Sequence, residues 1–185
     1  MTPAAPAYEI GDKMNLRAVT RQIARLLLLA SVLIGSCVFA QAEPLKEQLV
    51  GAWSLVSFDS FGSDGAKVPS MEGSDLKGLL ILTSGGLLSV QMIAAYPKLA
   101  SRNRLRTTVD EDKAVAHGVL SFYGTYTVDE VDRSISFLIE RSSFSNQVTG
   151  KPAKRMVTLS GDELRFDNPG RTAGGNVTIV WKRIK

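Results

Sequence analysis

The sequence predicts an all-β fold, an antiparallel up-and-down barrel of about eight strands with one short helix, preceded by an N-terminal signal peptide helix. Three observations support this prediction. From residue 49 onward, short segments rich in β-branched and aromatic residues alternate with turn-forming residues. The segment 108–118 carries the start and stop signals of a helix. Before residue 43, a basic region precedes one long apolar run.

The N-terminal segment has the composition of a secretory signal. Three arginines precede an apolar run at 26–40, and Ala40-Gln41-Ala42 forms a small-x-small cleavage site. The run is shorter than the about 20 residues that a membrane-spanning helix needs, which favours cleavage after Ala42 over a permanent anchor. We therefore divide the chain into a signal peptide, residues 1–42, and one mature domain, residues 43–185.

Two further features of this segment concern the translation start and a possible lipid anchor. Met14 begins a basic region of ordinary length, whereas residues 1–13 add a Pro/Ala-rich extension, so we expect translation to start at Met14. Cys37 ends a sequence similar to a bacterial lipoprotein box, which would leave an acylated Cys37 as the anchor. Because Val38-Phe39 continues the apolar run, we expect a periplasmic or secreted protein and keep the Cys37 lipoprotein as the alternative.

Composition excludes several classes of site. Cys37 is the single cysteine of the chain, so the mature domain should contain no disulfide, thiolate metal site or cysteine nucleophile. Removal of residues 1–42 takes away four cations and two anions and lowers the formal charge from +4 to +2. That charge is too small to indicate nucleic acid. We predict no cofactor, no metal, no nucleic-acid partner and no membrane span in the mature protein, and the oligomeric state stays open.

The strands follow one another at short intervals through the mature domain. Tight turns at Ser84-Gly85-Gly86, at 129–133 and at Ser160-Gly161-Asp162 make consecutive strands antiparallel neighbours. About eight strands close a small barrel with room for side chains or one small ligand. The predicted strands are 49–58, 78–83, 87–93, 119–128, 134–142, 153–160, 163–167 and 176–184.

One helix is predicted between the third and fourth of these strands, from Thr108 to His117. Thr108-Val109-Asp110-Glu111 matches a capping box, in which the first and last side chains satisfy each other's backbone amides. Gly118 stands where a C-terminal cap belongs.

Alternation of side chains along the strands predicts which residues face the interior. In the fourth strand Tyr126 lies on the same face as the apolar residues, and in the fifth strand Arg141 does so. Both side chains should therefore face inward. In the third strand, alternation leaves open whether the Leu88 set or the Gln91 set points inward. The predicted ligand-binding residues are Gln91, Tyr96, Phe122, Tyr126, Phe137 and Arg141.

Several motifs resemble the bacterial and fungal lipocalin-like domain family over nearly all of the mature chain, from Leu49 to Arg183. The resemblance implies a barrel that could hold a small molecule, with Trp53 at its floor and Arg183 stacked on the indole. The motifs are Leu49–Phe58, Gly78–Thr83, Leu88–Gln91, Tyr123–Asp129, Lys154-Arg155, Gly161–Leu164 and Trp181–Arg183.

The chain departs from the family pattern at three places. It has Leu79 and Leu82 where relatives tend to carry aromatic residues, and it lacks a histidine near Phe137. It also has Phe144-Ser145-Asn146-Gln147 in place of a Phe-Pro-Asn-Trp turn. The interior should therefore be less polar and less aromatic than in those relatives, and a function that depends on their histidine does not transfer.

Candidate chemistry outside the barrel interior is sparse. His117 is the single histidine, and its place at the end of the helix favours an interaction with the helix dipole over catalysis. A hydrolase triad has no Gly-x-Ser-x-Gly turn to support it. One local concentration of cations could guide an anionic ligand or lipid head group toward the barrel mouth, or simply be solvated. It comprises Lys98, Arg102, Arg104 and Arg106.

Three functional hypotheses follow, and interior space separates them. The leading one is an exported binding protein for a small, mostly apolar or amphipathic molecule, with an acidic group met by Arg141. The second is a cyclase or isomerase that uses barrel tyrosines, which requires space beside a buried tyrosine near Arg141. The third is a ligand-free envelope or structural protein whose interior is filled by its own side chains. A cavity of roughly 300 Å³ or more would favour the first.

Overall fold

The computed structural model describes Met1 and residues 43–69, 71, 73–95, 98–169 and 175–185. Residues 43–185 form one compact unit. The predicted signal peptide, the expected start at Met14 and the alternative anchor Cys37 lie outside the described residues, as does the predicted ligand contact Tyr96.

Within the described residues, strands dominate and two helices interrupt them. In chain order the elements are α1 (Leu45–Leu49), β1 (Gly51–Phe61), β2 (Lys67–Val68), β3 (Ser74–Leu82), β4 (Leu87–Ala95), α2 (Val109–Gly118), β5 (Val119–Asp129), β6 (Ser134–Ser142), a 3₁₀ turn (Ser145–Gln147), β7 (Ala153–Ser160), β8 (Glu163–Pro169) and β9 (Asn176–Arg183).

Eight of these strands form a closed antiparallel barrel in the order β1-β3-β4-β5-β6-β7-β8-β9, and pairing of β1 with β9 closes the ring. The length of β1 allows the barrel to close, because Gly51–Ser54 pairs with β3 while Trp53–Phe61 pairs with β9. The two-residue β2, which the sequence did not predict, pairs with the end of β1. The predicted antiparallel barrel of about eight strands is confirmed.

The inner faces of β4 and β5 follow the side-chain alternation. In β4, Leu88, Val90 and Met92 are buried and Gln91 is exposed, which settles the question that the sequence left open. In β5, Phe122, Gly124 and Tyr126 are buried, as the alternation predicts.

The prediction that Arg141 faces the interior is wrong, because β6 contains a bulge. Tyr123 pairs with Arg141 but the next residue, Gly124, pairs with Ile139, so Glu140 is an extra residue in the strand. An extra residue reverses the side-chain alternation beyond it. Arg141 is therefore exposed and donates a hydrogen bond to the carbonyl oxygen of its neighbour Glu140 at 2.8 Å.

Helix α2 confirms the predicted helix within one residue at its end, and its capping box is complete. The Thr108 amide donates to the Glu111 carboxylate at 2.8 Å, and the Glu111 amide donates to the Thr108 hydroxyl oxygen at 3.3 Å. None of the helices in the described part of the chain has the length and apolar character that a bilayer crossing requires.

The short helix α1 is a further departure, since the sequence assigned Leu49 to the first strand. Leu45 and Leu49 lie one helical turn apart, and both are buried. The carboxylate of Glu130, from the β5–β6 turn, accepts hydrogen bonds from the amides of Leu45 at 2.8 Å and Lys46 at 3.0 Å. Tertiary contacts therefore stabilise a helix too short to form alone.

Beneath α1, Trp53 and Arg183 close one end of the barrel as expected. The Trp53 side chain is completely buried, and the central guanidinium carbon of Arg183 lies 4.0 Å from its ring centre. The indole nitrogen of Trp53 donates to the carbonyl oxygen of Leu49 at 3.0 Å, and Arg183 donates to the carbonyl oxygen of Val50 at 3.0 Å. This end of the barrel is a packed floor.

Candidate ligand-binding cavity

A cavity of about 500 Å³ occupies the barrel interior above this floor. Side chains from α2, from the 3₁₀ turn and from the segment between β2 and β3 line its upper part. These segments belong to alternate strand connections, which share one end in an up-and-down barrel. The opposite connections, together with α1, belong to the floor, so the described lining places the cavity mouth at the end away from Trp53.

The wall of the cavity is largely apolar. Three phenyl rings cross the interior: the Phe137 ring centre lies 6.3 Å from that of Phe122 and 5.8 Å from that of Phe166. The second pair meets edge to face at 84°, a favourable arrangement for aromatic rings. The other apolar wall residues from the strands are Phe58, Val90, Met92, Val119, Leu120, Val177, Ile179 and Trp181.

Few polar side chains line the cavity, and none of those described is a carboxylate. Gln147, in the 3₁₀ turn, accepts a hydrogen bond from the Ser142 hydroxyl at 2.9 Å. His117 lies in the last turn of α2 and is exposed at the mouth. Asn168 and Arg155 come from neighbouring strands, β8 and β7.

Arg155 is the charged side chain of the cavity interior. Its guanidinium carbon lies 4.4 Å from the Phe137 ring centre, and one terminal nitrogen donates to the carbonyl oxygen of Ala153 at 2.8 Å. Burial lowers the pKa of Arg155 to about 10, which still leaves it protonated at neutral pH. In the described part of the chain, no carboxylate forms an ion pair with it.

The position of Arg155 follows from regular alternation in β7. Val157 is buried and Leu159 partly buried on the inner face, whereas Lys154 and Met156 point outward. Arg155 precedes Val157 by two residues, so its side chain lies on the same inner face as those of Val157 and Leu159. The sequence-based prediction missed this role, because Lys154-Arg155 entered it only as a family motif. The same alternation applied to β7 would have found Arg155.

A second polar group in the wall has no partner. The indole nitrogen of Trp181 is buried and makes no hydrogen bond with any described residue. Buried indole N–H groups usually have a partner. Trp181 is also a lining residue of the cavity, so the donor lies in the wall of the proposed site.

The six predicted ligand-binding residues lie in different parts of the structure. Phe122 and Phe137 line the cavity. Tyr126 is buried outside the lining, and its hydroxyl donates to the carbonyl oxygen of Thr83 at 2.7 Å near the floor. Burial raises the pKa of Tyr126 and keeps it a neutral donor. Gln91 and Arg141 are exposed on the outer surface, and Tyr96 lies outside the described residues.

The basic segment before α2 is exposed at each of Lys98, Arg102, Arg104 and Arg106. The amide of Ala100 donates to the Glu111 carboxylate at 2.7 Å, which holds the segment against α2. Over the described residues, no group of three or more His, Cys, Asp or Glu side chains is arranged to hold a metal ion.

Comparison with known proteins identifies the family of the barrel. The family described as a lipocalin-like domain matches residues 50–184, which span the barrel from the start of β1 to just beyond β9. No curated protein matches the chain.

Proposed function

The chain belongs to the lipocalin-like domain family, and we propose that its barrel binds a small, largely apolar molecule in the cavity above the Trp53 floor. The cavity of about 500 Å³ is the observation that supports this proposal. Small-molecule sites begin at roughly 300 Å³ and are mostly apolar with few polar groups. The aromatic wall around Phe137 fits that description.

The interior favours binding over the two alternatives. A tyrosine-dependent cyclase or isomerase needs a hydroxyl facing open space. Of the tyrosines in residues 43–185 that the structure describes, Tyr126 donates a hydrogen bond to the carbonyl oxygen of Thr83 outside the cavity lining, and Tyr123 is half exposed on the outer surface. A filled barrel would leave no comparable volume. The rings of Phe122, Phe137 and Phe166 pack together, but they do not fill the barrel, and a cavity of about 500 Å³ remains beside them.

We also propose that the protein is exported, with residues 1–42 removed as a signal peptide. The sequence supports this through its basic region, apolar run and small-x-small site before Glu43. In the periplasm or outside the cell, a barrel with an apolar cavity would carry molecules that dissolve poorly in water.

A cavity-filling substitution tests the binding proposal. Val177 is buried and lines the cavity, so Val177→Trp should occupy part of its volume. We expect purified wild-type protein to enhance the fluorescence of phenylnaphthylamine, a neutral apolar fluorophore, and Val177→Trp to abolish most of that enhancement. Native mass spectrometry of protein from its own host, before and after organic extraction, would then identify a bound molecule.

The matched control is Val131→Trp, because Val131 is 93% exposed in the β5–β6 turn. This variant should bind the fluorophore as wild type does, and circular dichroism should show that both variants are folded. Equal enhancement by wild type and by folded Val177→Trp would contradict binding in the cavity.

A further inference from the structure

The cavity holds a cation but no described anion. Its titratable lining side chains are Arg155, inside, and His117, at the mouth. A guanidinium has five N–H donors. Among the described residues, Arg155 makes one hydrogen bond, to the carbonyl oxygen of Ala153, and lies over the face of Phe137. Placing a charge in an apolar interior is costly unless the charge is paired. No described residue supplies the other Arg155 donors with the acceptor that would offset this cost.

Trp181 supports the same conclusion independently. Its side chain is 1% exposed, it lines the cavity, and its indole nitrogen has no hydrogen-bond partner among the described residues. A buried donor without an acceptor destabilises the folded state. Two donors without described acceptors, in a wall with few other polar side chains, indicate a ligand that brings oxygen acceptors into the barrel.

We propose that the ligand is an amphipathic molecule whose anionic head group, a carboxylate or a phosphate, pairs with Arg155 while its apolar part lies against the phenyl rings. Both head groups offer oxygens spaced for two parallel hydrogen bonds from one guanidinium. The inference rests on the proposed binding function and specifies the ligand class of the same cavity.

The geometry assigns this role to Arg155 and not to Arg141, which the sequence favoured. Arg141 is exposed on the outer surface beyond the β6 bulge, where water already solvates its charge. Arg155 lies over the Phe137 ring, so an ion pair there would form in a largely apolar environment. Electrostatic attraction is much stronger in such an environment than in water.

Competition between ligands of equal chain length tests the inference. Laurate, dodecyl phosphate and the uncharged dodecanol would each displace phenylnaphthylamine from wild type, Arg155→Met and Arg141→Met proteins. Methionine keeps an unbranched apolar side chain and removes the charge. Because hydrogen bonds to charged groups contribute about 1.5–3 kcal/mol, Arg155→Met should weaken laurate or phosphate binding by about tenfold or more. Dodecanol binding should hardly change.

Arg141→Met is the matched control and should bind all three competitors as wild type does. The tighter of the two anions in wild type identifies the head group as carboxylate or phosphate. Unchanged anion affinity in Arg155→Met would overturn the inference, as would an equal loss for dodecanol or an equal loss in Arg141→Met. Failure of wild type to bind the fluorophore would instead overturn the binding function itself.

Arg155→Lys provides a second variant, because it keeps the charge and loses the paired geometry. Its anion affinity should lie between those of wild type and Arg155→Met. If Arg155→Met does not fold, Arg155→Lys decides alone: a loss confined to the two anions supports the inference, and an equal loss for dodecanol contradicts it.

Discussion

Arg155 and Arg141 carry the same charge in opposite surroundings, and one extra residue accounts for the difference. Glu140 shifts the register between β5 and β6, which turns Arg141 outward. β7 pairs without a shift with β6 from Ala153 to Met156 and with β8 from Met156 to Ser160, so Arg155 stays in phase with the buried Val157. At this scale, the local register of a strand decides which cation reaches the cavity.

Gly124 makes the β6 bulge possible, and its substitution should be costly. A Cβ atom at Gly124 would lie 2.1 Å from the backbone oxygen of Leu138, much closer than real Cβ contacts. We expect Gly124→Ala to lower the free energy of unfolding by about 1–3 kcal/mol, because the backbone must shift to admit the methyl group. Urea unfolding measures this change.

Gly85→Ala is the matched control, because a Cβ there would find its nearest heavy atom at 3.9 Å, in the β3–β4 turn. Its unfolding midpoint should stay close to that of wild type. A Gly124→Ala protein as stable as Gly85→Ala would show that the bulge does not depend on the close approach to Leu138.

Both helices of the described chain are positioned by carboxylates. Glu130 caps α1 from another part of the chain, whereas Glu111 caps α2 from within and also binds the amide of Ala100. Hydrogen bonds from the amides of Thr108 and Ala100 lower the pKa of Glu111. Residues at the end of α2 line the cavity mouth, so Glu111 holds together the segment that borders the entrance.

The Glu111 contacts should weaken in acid. A carboxyl whose pKa is lower in the folded state stabilises that state fully above its ordinary pKa of 4.5, and the stabilisation is lost as the pH falls through the folded pKa. We expect the Ala100 amide resonance to titrate below that ordinary value in an NMR experiment. At neutral pH, Glu111→Ala should speed hydrogen exchange at Ala100 and Thr108.

Asp110→Ala provides the comparison, since Asp110 is an exposed acid in the same first turn. It removes a similar charge near the helix N-terminus without removing the capping side chain. Exchange at Ala100 that rises equally in both variants would mean that general charge, and not the Glu111 hydrogen bonds, orders the segment.

At the scale of the whole molecule, the barrel divides into a packed floor and an accessible cavity. The floor combines the buried Trp53 and its Arg183 contact with the two leucines of α1. The cavity lies above this floor, and its wall contains the phenyl rings and Arg155. Because β1 pairs with both β3 and β9, the ring has no open seam between its first and last strands.

Export predicts a defined N-terminus for the mature protein. Intact-mass analysis of the protein recovered from the periplasm or medium of its own host should give a chain that begins at Glu43. A small residue is needed at the cleavage position, so Ala42→Arg should leave a longer precursor, whereas Ala52→Ser within the barrel should be processed normally. A mature chain that begins with an acylated Cys37 would contradict cleavage after Ala42 and favour the lipoprotein alternative.

The sequence by itself determined the fold class, the helix cap at Thr108, the inner face of β5 and the inner face of β6 as far as its bulge. These features depend on residues close together in the chain: alternation with period two, turn-forming residues and a four-residue capping box. Phe122 and Phe137, which follow that alternation, line the cavity as predicted. The Trp53–Arg183 contact, expected from the family resemblance, also forms.

Only the tertiary structure decided which polar groups meet the cavity. The Arg141 prediction failed because a bulge depends on the pairing of two strands, which a single strand's pattern does not contain. Helix α1 depends on Glu130, some 85 residues away. The space beside Arg155 and the unpaired Trp181 nitrogen exist only when strands distant in sequence enclose a common interior. A cavity is a property of the closed barrel, because no segment alone encloses volume.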